Sequence, residues 1–157
     1  MTRAQMRVAI AKDVLKQIKA RKITISPNGY WTVGNPRFLY DGTAVGRLDI
    51  QRKKCSVCAA GAAITSAIRL FNEETIPIRN ASDEERVFIA GRRWFTKRQL
   101  AMIEAAFEKP GSRPMVDQIT FREIDRCDRF AAKNDTYLAR AKAIFKNIIE
   151  NGGNFVP

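Results

Sequence analysis

Cys55-Ser56-Val57-Cys58-Ala59-Ala60-Gly61-Ala62-Ala63-Ile64-Thr65-Ser66-Ala67-Ile68-Arg69-Leu70-Phe71 is an apolar run dominated by small side chains. A helix that is apolar on most sides belongs inside a fold. The stretch therefore predicts a central helix whose Ala59, Ala60, Gly61, Ala62, Ala63 and Ala67 let neighbouring elements approach closely and whose burial organises the core. What surrounds it decides the class.

Upstream, Thr2-x-x-Gln5 is a capping-box pattern, and Met6, Ile10, Val14 and Ile18 then recur at helical spacing. They predict a helix over about residues 3–22. From Ile23 to Ile50 the period changes: Ile23/Ile25, Tyr30/Thr32 and Phe38/Tyr40 are separated by Pro27-Asn28-Gly29, Gly34-Asn35-Pro36 and Asp41-Gly42. Gly and Asn accept positive φ and Pro ends a ladder, so two short hairpins are expected, with a long ordered loop as the competing reading.

Downstream, helix starts recur. Ser82-x-x-Glu85 can cap a short helix through Val87, Phe88 and Ile89, and Thr96-x-x-Gln99 caps one with Leu100, Ile103 and Phe107 on one face. Lys109 to Pro114 stops that helix. Thr120-x-x-Glu123 opens another, with Phe121, Ile124, Cys127 and Ala131 expected inward, ending near Asn134. Asp135 is the expected cap of a last helix, with Tyr137, Leu138, Ala141, Ile144, Phe145, Ile148 and Ile149 inward and Asn151-Gly152-Gly153 at its end. No internal repeat, low-complexity stretch or interdomain linker interrupts the series. The fold class expected is α+β, mainly α: a single compact helix-rich domain over residues 1–157 with a small β-hairpin or meander element around residues 23–50.

Composition narrows the function. The 157 residues are 45% hydrophobic and carry 28 Lys+Arg against 16 Asp+Glu, a net charge of +12 without a single His. A chain of this length can bury a core without metals or disulfides. Without His there is no imidazole general base, no Ser-His or Cys-His nucleophile pair and no His ligand for zinc, so classical hydrolase mechanisms fall away. No apolar run approaches the roughly 20 residues that span a bilayer. The N-terminal residues are amphipathic rather than signal-like, and a cytoplasmic protein is expected.

Cys55-x-x-Cys58 has the spacing of a redox or zinc-binding pair, but the chain offers Cys127 as the only further thiol. Three thiolates leave a tetrahedral site incomplete. Buried structural thiols are expected, with a reactive cysteine next to Arg52-Lys53-Lys54 as the competing reading. The acids at Glu73-Glu74, Asp83-Glu84-Glu85 and Asp125/Asp128 read as turns, helix starts and surface. No Gly-rich phosphate loop occurs. We expect no catalytic residue, no cofactor and no metal.

The cations form three groups. Lys12, Lys16, Lys19 and Lys22 make a stripe on the first helix, with a solvated outer face as the plain alternative. Arg92-Arg93-Trp94-Phe95-Thr96-Lys97-Arg98 puts four cations and two large aromatics into seven residues. That composition suits phosphate contact with base stacking, or a protein-interface hot spot; the alternative puts Trp94 and Phe95 in the core. Arg122, Arg126, Arg129 and Lys133 follow on a later helix, where a pair such as Asp125 with Arg129 would neutralise part of the stripe. Residues 1–72 hold a surplus of +10 and the rest only +2. A concentrated surplus favours an anionic partner, most commonly nucleic acid.

At Trp31-Thr32-Val33-Gly34 followed by Cys58-Ala59-Ala60-Gly61-Ala62-Ala63, the chain resembles small uncharacterised phage and bacterial proteins that pair an N-terminal helix with a Trp/Gly segment and a C-x-x-G-A-small helix. The resemblance covers residues 5–70. It implies a phage accessory protein that binds host machinery, and it transfers no active site.

The leading expectation is a non-catalytic basic protein that binds nucleic acid or a nucleoprotein complex through Lys12, Lys16, Lys19, Arg52, Lys53, Lys54, Arg92, Arg93, Trp94, Lys97 and Arg98. The alternative is an inhibitor or modulator of a host enzyme or defence complex, anchored on Trp94 and Phe95. Convergence of the cationic groups on one face would favour the first.

Overall fold

A computed structural model of the chain describes residues 1–27, 31–33, 55–71, 91–108 and 116–157. Helix α1 (Arg3–Lys19) opens on the expected capping box: the Thr2 hydroxyl accepts from the Gln5 N–H at 3.2 Å, and the Gln5 side chain accepts from the Thr2 N–H at 2.8 Å. It closes at Ala20, where the Arg21 and Lys22 N–H groups donate back to the Ile18 and Gln17 carbonyls. Arg21 takes φ 56° to make that reversal, the place where glycine is usual.

Three short strands follow: β1 (Ile23–Ile25), β2 (Trp31–Val33) and β3 (Cys55–Val57). Their order is β1-β3-β2, with β3 parallel to β1 (Thr24 opposite Ser56) and antiparallel to β2 (Thr32 opposite Ser56). Two expectations change here. β1 and β2, expected as a directly paired hairpin across Pro27-Asn28-Gly29, do not pair with each other, because β3 lies between them. Residues 55–57, expected to start the central helix, form the middle strand of the sheet instead. A short apolar run does not distinguish a buried strand from a buried helix by its periodicity. The expected strand around Phe38/Tyr40 lies outside the described residues, as do the helix after Ser82 and the Lys109 to Pro114 stop.

Helix α2 (Ala59–Phe71) is the central helix expected, with every residue from Ala59 to Ile68 buried. The Cys58 thiol caps it, accepting from the Gly61 N–H at 3.3 Å. Helix α3 (Lys97–Phe107) starts at Thr96, whose hydroxyl accepts from the Gln99 N–H. After a single 3-10 turn at Val116–Gln118, helix α4 (Phe121–Ala132) opens on the expected Thr120/Glu123 capping box. Helix α5 (Tyr137–Glu150) is capped by Thr136 and not by Asp135; the threonine hydroxyl accepts from the Ala139 N–H.

Side-chain contacts fix how the helices run. Arg7 near the start of α1 donates to the Gly153 carbonyl just past α5, so these two helices are antiparallel neighbours. Arg98 on α3 pairs with Glu123 on α4, and the Cys127 thiol reaches the Met102 carbonyl at 3.5 Å. Equal steps of four on both helices make α3 and α4 parallel. Phe107 at the end of α3 packs on Tyr137 at the start of α5, while Gln99 near the start of α3 exchanges hydrogen bonds with the Phe155 backbone beyond α5. α3 and α5 are therefore antiparallel. The common core gathers Ile10 and Val14 of α1, Ile64 of α2, Leu100, Ile103 and Phe107 of α3, Cys127 of α4, and Ile144, Phe145 and Ile148 of α5. This is a mainly-α fold of the α+β class. Among the described residues, no helix is long and apolar enough to cross a membrane.

Candidate nucleic-acid interface

The exposed face of α1 is cationic because its one carboxylate turns inward. Asp13 is buried, where it takes a forked ion pair from the Arg69 guanidinium of α2 and a hydrogen bond from Gln17 at 3.1 Å. The exposed ionisable residues left on α1 are Arg3, Lys12, Lys16 and Lys19. On the antiparallel neighbour α5 they are Lys142, Lys146 and Glu150, since Arg140 is buried with its guanidinium on the Phe107 and Asn134 carbonyls. Ala141, Ile144, Phe145 and Ile148 point into the core, leaving Lys142 and Lys146 outward. Adjacent helices thus present five lysines on their outer faces with one carboxylate, Glu150, at the far end of α5.

The second cluster is elsewhere. The Arg7 guanidinium reaches the Trp94 carbonyl at 3.0 Å, so the turn before α3 lies beyond the inward side of α1. At about 100° per residue, Lys12, Lys16 and Lys19 lie about 120–180° around the helix from Arg7. The lysine stripe and the Arg92 to Arg98 cluster do not meet on one face. Within the cluster Arg92, Arg93, Lys97 and Arg98 are exposed, but Trp94 is 3% exposed and Phe95 is likewise buried. Trp94 stacks on Phe71 with ring centroids 6.1 Å apart. This corrects the expectation that Trp94 binds a base or a partner: a ring held inside the core offers no face to either. The hot-spot anchors of the inhibitor reading are buried with it. Arg52, Lys53 and Lys54 lie outside the described residues.

At the ends of α3 and α4 the cations collect again. Because the two helices are parallel, their N-termini share one end of the molecule, bringing Arg92, Arg93, Lys97 and Arg98 to the same end as Arg122. Glu123 is buried and ties the end together: one oxygen accepts from the Arg98 Nε at 2.7 Å and the other from the Thr120 N–H at 2.8 Å. The Thr120 N–H, followed by the Arg98 guanidinium, holds its carboxyl below the usual range. Phe121, expected in the core, is 87% exposed here. Leu138, also expected inward, is exposed at the start of α5. Along α4, Arg122, Arg126, Arg129 and Lys133 are exposed, and the Asp125–Arg129 pair that would have neutralised them is not formed among the described residues.

Sequence reasoning missed Lys142 and Lys146, although each sits one position after an inward residue, Ala141 or Phe145, in the periodicity of the last helix. It also missed Glu104, 2% exposed in α3, whose Oε1 accepts from the Ala60 N–H at 2.9 Å and from the Cys58 thiol at 3.4 Å. Burial pushes its carboxyl up to about 7, against the opposing pull of those donors. Burial, reinforced by Glu104, also raises the Cys58 thiol well above its ordinary value, which keeps it protonated. A protonated thiol is a poor nucleophile, and Cys58 is buried, as expected of a structural thiol. Among the described residues, no group of three His, Cys, Asp or Glu side chains could hold a metal ion.

No protein-family model, curated protein or solved structure matches this chain.

Proposed function

We propose that this chain is a non-catalytic protein that binds nucleic acid, alone or within a nucleoprotein complex, through the lysine face of α1 and α5. One observation carries the reading: Lys12, Lys16, Lys19, Lys142 and Lys146 lie outward on two adjacent helices while Asp13 is withdrawn onto Arg69. Solubility is served by interspersed charge of both signs, whereas a surface of one sign suits a polyanion. Lysines spaced along a helix meet phosphates as point charges and carry no base information, so the expected binding is independent of sequence. The resemblance at Trp31 to Gly34 and Cys58 to Ala63 makes a phage-type accessory role in the cytoplasm the natural setting. Fluorescence anisotropy with labelled duplex and single-stranded probes tests the proposal. Binding at low salt that weakens steeply as salt is raised is expected. Absence of binding to either probe at low salt overturns it.

A further inference from the structure

Phe121 points to the kind of nucleic acid. The buried residues of α4 are Glu123, Ile124, Cys127 and Ala131, and the phenylalanine stands outside that set, 87% exposed at the first residue of the helix. It is not alone there. Arg98, whose side chain is 65% exposed, reaches the Glu123 carboxylate that also accepts from the Thr120 N–H, one residue before Phe121. Arg122 follows directly, and Arg126, Arg129 and Lys133 continue along the exposed side of α4. The acids in the neighbourhood are Asp117, Asp125, Asp128 and the paired Glu123, four against the five cations Arg98, Arg122, Arg126, Arg129 and Lys133.

A large apolar ring left in water among arginines has a specific complement: a partner with flat apolar faces and a regular negative charge. We infer that Phe121 is a stacking platform for an unpaired base, with Arg122 and the α4 cations on the flanking phosphates. This rests on the nucleic-acid reading above and sharpens it to single strands. In a duplex the base faces are covered by their neighbours, so a ring at the start of a helix has only backbone and base edges to meet. In a single strand each base offers a face, and stacking on an aromatic side chain is a main source of affinity. The cluster therefore keeps the composition anticipated around Trp94, with Phe121 as its aromatic member.

The test compares the wild-type chain with Phe121→Ala and Phe121→Trp on a single strand of about 15 nucleotides and on a duplex of equal length. Phe121→Ala should weaken single-strand binding by about 5- to 100-fold with little change in salt dependence, leave duplex binding within about two-fold, and be reversed by Phe121→Trp. Unchanged single-strand affinity, an equal loss on duplex, or no recovery with Trp would overturn the inference while leaving the lysine face in place. Competition by polyglutamate as effective as by the single strand also overturns it, in favour of an acidic protein surface. If the wild type binds neither probe at low salt, the underlying reading fails and this one fails with it.

Discussion

A carboxylate closed into a core, as Glu104 is, makes folding sensitive to pH in a definite direction. Its pKa of about 7 in the folded chain stands above the ordinary carboxyl value of 4.5, so between the two the folded state keeps a proton that the unfolded state has lost. Stability tied to this group is present below about pH 4.5 and lost as pH rises through 7, by about 3 kcal/mol at full ionisation. Glu104→Gln keeps an acceptor for the Ala60 N–H and removes the titration. Urea unfolding at pH 5 and pH 8 should show a smaller difference for the variant; an unchanged difference would contradict the assignment. Arg7 acts by geometry. It donates to the Gly153 and Trp94 carbonyls and to the Asn154 side chain, joining the start of α1 to the end of α5 and the turn before α3. Arg7→Met retains the aliphatic stem and should cost about 2–3 kcal/mol in the same assay.

At the scale of elements, two helix ends close by the same reversal with different residues. After α5, the N–H groups of Gly152 and Gly153 donate to the Ile149 and Ile148 carbonyls, with Gly152 at φ 62°. After α1 the corresponding position is Arg21 at φ 56°. Arg21→Gly should therefore stabilise the chain by about 0.5–1 kcal/mol. Gly152→Ala meets nothing within 4 Å and should cost about 1 kcal/mol, whereas at Gly153 (φ +101°) a Cβ would fall 2.4 Å from the Ala4 carbonyl oxygen. Gly153→Ala should cost more than about 2 kcal/mol, and a thermal melt of the three variants gives the ordering. Caps were the most legible part of the sequence, because a hydroxyl three residues before its N–H is a local pattern: Thr2, Thr96 and Thr120 stand where they were expected. β3 was not legible, since the pairing that makes Cys55–Val57 a strand comes from β1 and β2. The exposure of Phe121 was not legible, since a step of three to Ile124 is compatible with a shared helix face. At about 100° per residue Phe121 lies about 90° from the centre of Ile124, Cys127 and Ala131. Trp94 went the other way: its cationic neighbours in sequence point to solvent, while the fold places its own ring on Phe71.

At the scale of the molecule, cations of the described residues that contribute to the charge of +12 gather on a side and at an end. The side is the lysine face of α1 and α5; the end is where α3 and α4 begin, with Phe121 among arginines. The surplus before residue 73 was legible in the sequence, and so was the α1 stripe. The contribution of α5 was not, because Lys142 and Lys146 come from the nearly neutral part of the chain and join Lys12, Lys16 and Lys19 only through antiparallel packing. Convergence of the stripe with the Arg92 cluster, which would have made one large patch, is replaced by two separate surfaces. The measurement that tests this most directly is the salt dependence of duplex binding by the wild type and by a variant carrying Gln at positions 12, 16, 19, 142 and 146. Each lysine that meets a phosphate contributes about −0.9 to the slope of log K against log salt. The wild type should show a slope of about −4 or steeper, and the variant should fold normally with a slope of about −1 or shallower. A variant that keeps the wild-type slope would contradict the account, since the phosphates would then be held elsewhere on the molecule.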